Sequence, residues 1–162
     1  YLKCRPEEVD RKVLSLMGEL QSREKEIERL QRKIAQRDFE TLLTQVRDVG
    51  GVRVLAARVE ATNIETLREM SDWFRNRMGS GVTVLGAVMA GKPNFVAAIT
   101  PDLIQRGLHA GQLIKAVAQV VGGGGGGKPT LAQAGGRDVS RMGEALSLVP
   151  DLVARAVSSE TG

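Results

Sequence analysis

The residues of this chain best suited to chemistry lie in one stretch. Six consecutive glycines, Gly122 to Gly127, run directly into Lys128 and Pro129, and Ala132-Gln133-Ala134-Gly135-Gly136-Arg137-Asp138 follows shortly after. Peptide units without side chains let another backbone come close, and their N–H groups can bind a phosphate or sugar oxygen whose charge Lys128 and Arg137 would balance. Keeping six glycines ordered costs roughly 3–6 kcal/mol relative to alanine. The run is therefore either a site whose contacts offset that cost or a linker that never orders. Gly122, Gly127 and Lys128 have the spacing of a P-loop, yet Pro129 stands where Ser or Thr must hold magnesium, and the preceding segment reads as helix. That excludes an ordinary Walker A site, and a G-x-G-x-x-G match is met by any polyglycine and carries no information.

Other chemistry is thinly provided for. A single cysteine, Cys4, excludes an internal disulfide, and with His109 as the single histidine no Cys/His zinc cluster can be assembled. A Ser-His-Asp arrangement would have to use His109 and lacks a G-x-S-x-G elbow. No catalytic residue and no metal ligand is assigned. Basic residues exceed acidic ones, 23 to 19, and 16 of them are Arg, which favours bidentate contacts to phosphate or carboxylate. The aromatic residues are Tyr1, Phe39, Trp73, Phe74 and Phe95. Base-stacking sheets such as OB-folds are therefore unexpected, and nucleic acid would have to be held by amides and cations.

These groups need a scaffold. The chain has 162 residues, 42% of them hydrophobic, which suits one soluble domain with an appendage. No apolar run approaches the roughly 18 residues of a membrane helix, so a soluble, cytoplasmic protein is expected. It opens at Tyr1 without an initiator Met and reads as a piece of something longer. From Pro6 to about residue 47, Val13, Leu16, Leu20, Ile27, Leu30 and Ile34 recur at spacings of three and four. Glu7/Arg11, Glu8/Lys12, Glu19/Arg23 and Glu28/Arg32 stand four apart in the favoured order. One long helix is expected there, stopped by Gly50-Gly51, with weak points at Gly18 and Arg23. Such a helix spans about 60 Å, far more than the radius of gyration near 13 Å of a domain of about a hundred residues, so it is expected to project as a coiled-coil-like stalk. Its apolar stripe would need a partner, which could be a second copy of this chain, a neighbouring part of the parent protein or the globular domain folded back upon it; the alternative is a charged, solvated spacer.

From Val52 onward strand and helix signals alternate. Strands are expected at Val52 to Val59, Val82 to Ala90, Phe95 to Thr100 and Leu131 to Ala134, with Gly91-Lys92-Pro93-Asn94 as a hairpin turn. Thr62-Asn63-Ile64-Glu65 reads as a capping box opening a helix that buries Trp73 and Phe74. Further helices are expected at Thr100 to Gly107, at Ala110 to Val121, and at Ser140 to Val157, the last kinked by Pro150. The fold class is α/β: a small mixed sheet of three or four strands covered by helices. Residues 1–49 form the stalk, and residues 50–162 form a globular domain with a glycine-rich loop at 122–127.

Arg106-Gly107-Leu108-His109-Ala110-Gly111, then Ile114-Lys115-Ala116-Val117, the glycines with Lys128-Pro129, and above all Ala132 to Asp138 resemble the C-terminal (C-Ala) domain of alanyl-tRNA synthetase. More distantly, they are similar to the substrate-binding domain of DHH-type phosphoesterases. The resemblance covers essentially the whole chain, and its specificity lies in residues 106–138. It implies a tRNA-binding module that holds the tRNA elbow and couples the aminoacylation and editing domains of the parent enzyme. Partners would be tRNA, the other synthetase domains, and a second copy joined through the long helix, with no membrane involved. ATP and zinc would belong to other domains, and no cofactor is expected in this one.

By position in the matching motif, the implied RNA contacts are Gly123, Gly124, Gly125, Gly126 and Gly127, Lys128 and Arg137 for phosphate, and Gln133 for a polar contact or for fixing the loop. Lys92, Asn94 and Arg106 are further candidates. Each has an ordinary alternative: Gln133 and Asp138 could brace local backbone, and Gly135-Gly136 could be a turn. His109 is expected to be structural, and Asp138 to cap the final helix. Two other readings stay open, a helix-mediated dimerisation module and a phosphoesterase's substrate domain whose catalytic half lies elsewhere.

Overall fold

The structure is a computed structural model that describes residues 5–159; Cys4 and the opening Tyr1-Leu2-Lys3 lie outside the described residues. Contacts divide the chain into two units, the first ending at Thr41 and the second beginning at Leu42. The first unit is α1 (Pro6–Leu43), whose last two residues fall in the second. Its apolar stripe faces solvent: Val13, Leu16, Leu20, Ile27, Leu30 and Ile34 are 46–60% exposed. Among the described side chains Glu8/Lys12 and Glu19/Arg23 do not close, and the ion pair that forms on the helix is Arg29–Glu26 at 2.6 Å. The side chains of Glu7 and Arg32, needed for the other two expected pairs, lie outside the described residues.

The helix ends earlier than expected. Arg47–Val49 is strand β1, paired antiparallel with β2 (Val52–Arg58). Gly50 and Gly51, read from the sequence as a helix stop, are the two central residues of a hairpin turn, with φ of 59° and 82°. That geometry is the primed turn whose twist suits flanking strands, and the Gly51 N–H donates to Asp48 Oδ1 at 2.9 Å. Next comes α2 (Ile64–Met78), capped by Asn63 Oδ1, which accepts from the Thr66 N–H at 2.8 Å. The cap is thus one residue later than the expected Thr62 box. Phe74 is fully buried, but Trp73, about 100° round the helix, is 49% exposed, which corrects the expectation of a core residue.

Strand β3 (Val82–Met89) runs parallel to β2 and antiparallel to β4 (Lys92–Ile99). Because Ala90 and Gly91 both take positive φ, they make the turn between them alone. Lys92 and Asn94, expected in that turn, are therefore strand residues. Helix α3 (Pro101–Ile104) and α4 (Ala110–Val120) follow, then β5 (Gly124–Gly127), β6 (Leu131–Gly135), a 3-10 turn (Val139–Arg141), α5 (Met142–Ser147) and α6 (Val149–Ser158). The expected last helix is split at Leu148, with Pro150 in the first turn of α6, where its missing N–H is harmless.

The sheet has six strands in the order β1-β2-β3-β4-β6-β5, more than the three or four expected. Helices α4, α5 and α6 cover one face over a core of Val52, Val54, Val84, Phe95, Ala97, Ile114, Val117, Met142 and Val153, and α2 packs on the other face over β3 and β4. Among the described residues no helix is long and apolar enough to cross a membrane.

Candidate nucleic-acid interface

The glycine run is neither a linker nor a loop. After α4, Gly122 takes φ of 65° and turns the chain, and Gly124–Gly127 then pairs with β6 as the outermost strand of the sheet. Gly124 faces Gly135, Gly125 faces Ala134, Gly126 faces Gln133 and Gly127 faces Ala132. The Lys128 N–H donates to the Leu131 carbonyl at 2.9 Å, closing the connection through Pro129 and Thr130. Antiparallel ladders alternate, so this bond directs the polar groups of Gly126 toward β6 and those of Gly125 outward.

The glycines are not equivalent. A Cβ on Gly125 would overlap Ala134 Cβ and the Gln133 carbonyl, and one on Gly127 would sit 2.6 Å from Ala132 Cα, so the fold itself demands glycine there. A Cβ on Gly124 or Gly126 would meet nothing within 4 Å. These two positions are bare without any packing reason.

At one end of β5 lies an open cleft of about 710 Å³. It is lined by Lys92 and Asn94 of β4, Gly123 and Gly124, Gly135 of β6, and Arg137. The segment after β6 is pinned there, because the Arg137 and Asp138 N–H groups both donate to the Val121 carbonyl, at 2.9 and 3.1 Å. Lys92 and Arg137 are exposed, and among the described residues neither forms an ion pair. Asp138, next to Arg137 in the chain, contributes a negative charge. Its Oδ1 accepts from the Ser140 hydroxyl at 2.5 Å and the Ser140 N–H at 3.0 Å, and the hydroxyl bond above all holds its carboxyl below the ordinary aspartate value. It caps the 3-10 turn that leads into α5, earlier than a single final helix would have placed it.

Of the residues expected from the sequence, the cleft brings together Lys92, Asn94, Gly123, Gly124 and Arg137. Gly125, Gly126 and Gln133 lie further along the same two strands. Lys128 stands at the far end of β5, on the order of 13 Å away along the strand. Arg106 follows α3, which leaves the sheet from the end of β4 opposite to Lys92, so it is not part of the cleft. His109 is structural, as expected: its Nδ1 accepts from the Gly111 N–H at 3.0 Å and caps α4. Gln133 is exposed on β6, and its Oε1 accepts from a guanidinium N–H of Arg68 on α2. Sixty-five positions separate these two residues, and no local pattern in the sequence links them. Among the described residues no cluster of His, Cys, Asp and Glu could hold a metal ion.

Residues 51–155 match the DHHA1 domain. Over 152 residues, 94% of this chain, the sequence is 43% identical to an alanine–tRNA ligase of Dehalococcoides mccartyi. Over 157 residues, 97% of this chain, it is 45% identical to that of Roseiflexus castenholzii. The chain spans 18% and 17% of the lengths of these two relatives. The crystal structure of the C-Ala domain from Aquifex aeolicus alanyl-tRNA synthetase superposes with a TM-score of 0.62 at 28% identity, covering 67% of this chain and 97% of that one.

Proposed function

This chain belongs to the DHHA1 domain family, and we propose that it is the tRNA-binding module of an alanine–tRNA ligase, holding the outer elbow of the tRNA and so coupling aminoacylation to editing. The observation that carries this reading is the bare edge strand Gly124–Gly127 with cations around it that form no ion pair among the described residues, Lys92 and Arg137 at one end and Lys128 at the other. Two glycines of the strand have no steric role in the fold, and a surface without side chains is what a sugar–phosphate backbone needs in order to approach peptide N–H groups closely. A cleft and a strand, rather than an aromatic platform, suit recognition by shape and charge, as expected for folded RNA. ATP and zinc belong, in this reading, to other domains of the parent enzyme.

A titration of intact tRNA against an RNA duplex of equal length, at two salt concentrations, tests the proposal. Tighter binding of tRNA, with affinity falling steeply as salt rises, is expected. Equal affinity for both ligands would remove the elbow from the account.

The exposed apolar stripe of α1 favours a second role, in which two copies associate through Val13 to Ile34. Sedimentation at several concentrations tests it. A strict monomer that still binds tRNA would reject dimerisation and leave the RNA reading intact.

A further inference from the structure

Beyond the cleft, the glycine edge of the sheet has a second row of residues. Asn94, Gly135 and Gly124 stand opposite one another on β4, β6 and β5, and Val96, Gln133 and Gly126 form the next row on the same face. One such step along a strand is roughly 7 Å. Val96 is buried. Gln133 is exposed, and Gly126 opens onto empty space. The guanidinium of Arg68 reaches this row from α2 and is held by Gln133 Oε1.

The charge of Arg68 is left unspent. Asp72, one helical turn away, pairs with Arg75 at 2.8 Å, and among the described residues Arg68 forms no ion pair. Its fixed partner is a neutral amide. An amide oxygen can orient a guanidinium through one N–H and leave the charge and the remaining donors of the fork available to an anion, whereas a carboxylate would neutralise it. A Glu at position 133 would tie α2 to β6 more strongly, so a purely structural tether does not explain why Gln stands there.

We propose that Arg68 is a phosphate-contacting residue of the RNA interface, with Gln133 as its positioning residue, extending the surface from the cleft at Arg137 along the open row beside Gly126. The inference rests on the RNA-binding reading above. A backbone lying across Gly124 and Gly126 would then meet Arg137 near one row and Arg68 near the next.

The test uses the whole chain, intact tRNA, and two variants, one at half-buried Arg68 and one at exposed Gln133, that preserve a hydrogen bond between the two positions. Arg68→Gln keeps a neutral contact and loses the charge. Gln133→Glu keeps Arg68 in place but compensates it. Each is expected to weaken binding about five- to tenfold near 0.1 M salt and to lower the salt slope by about one unit. Melting temperature should hold for Arg68→Gln and hold or rise for Gln133→Glu. Wild-type affinity and salt slope in both variants, while the parent chain still binds tRNA, would overturn the role of Arg68 and leave the broader reading standing. Weakened binding in Arg68→Gln alone, with Gln133→Glu indistinguishable from the parent, would overturn the claim that a neutral partner at position 133 is what leaves the Arg68 charge free for an anion. A parent chain with no salt-dependent affinity for tRNA would overturn both.

Discussion

Arg47–Val49 and Gly124–Gly127 are the two edge strands of one six-stranded sheet, and they meet solvent differently. The first exposes Arg47 and Asp48 and is only three residues long, two of the usual protections against pairing with another chain. The second exposes four glycines and has no side chain to guard it. Both edges depend on glycine, but for different reasons. Gly50 and Gly51 serve a tight turn and are accounted for by local geometry. In β5 local geometry accounts for Gly125 and Gly127 and leaves Gly124 and Gly126 over. What the fold does not require is the best pointer to what the surface is for.

The largest expected effect breaks the strand itself. Gly125→Val drives a side chain into the backbone of β6 and should lower stability by about 1–3 kcal/mol or more, read as a fall in melting temperature. Gly126→Val is the matching control at the neighbouring position. It should fold as well as the parent, since nothing occupies the space it fills, while tRNA affinity falls about tenfold as the close approach is blocked. If both variants lost stability alike, the distinction between the two classes of glycine would fail.

A smaller effect is expected from charge. Lys128→Ala should weaken tRNA binding a few-fold and reduce the salt slope by about one unit. The corresponding change on the other edge, Arg47→Ala, should leave both quantities unchanged. Smallest is Asp138→Asn, which keeps an acceptor for Ser140 but removes a negative charge beside Arg137; binding should tighten about twofold, measured by anisotropy at low salt. Acidification to pH 5 should not reproduce this gain. The Asp138 carboxyl is held below the ordinary value of 3.8 by Ser140, so it stays ionised there. By the same sign its contribution to stability is complete above the ordinary value and is lost as pH falls through the lowered one.

The parts of this fold most legible in the sequence carry strong periodic or capping signals: β3 and β4 as apolar runs, α4 by its apolar face, and α2 by its cap within one residue. β1 escaped because three residues, Arg47-Asp48-Val49, have no alternation to read, and the paired glycines after them suit a helix stop as well as a hairpin turn. β5 escaped for a physical reason. Glycine has no strand preference of its own, so its state is decided by the β6 backbone beside it. The motif from Ala132 to Arg137 marked the neighbourhood of the candidate site, and the family resemblance put forward Lys92, Asn94 and Arg137 without showing that they meet. Arg68 could not be found that way, because what ties it to the candidate site, among the described residues, is its hydrogen bond to Gln133, 65 positions away.

The central claim is that RNA meets the molecule at the glycine edge. The most direct measurement is the shift of backbone amide resonances on adding intact tRNA, read at Gly124–Gly127 and at Arg47–Gly51 in the same sample. The account predicts large, salt-sensitive shifts along Gly124–Gly127 and at Arg137, with Arg47–Gly51 unmoved. Shifts confined to Arg47–Gly51, or absent from both edges while tRNA is bound, would contradict it.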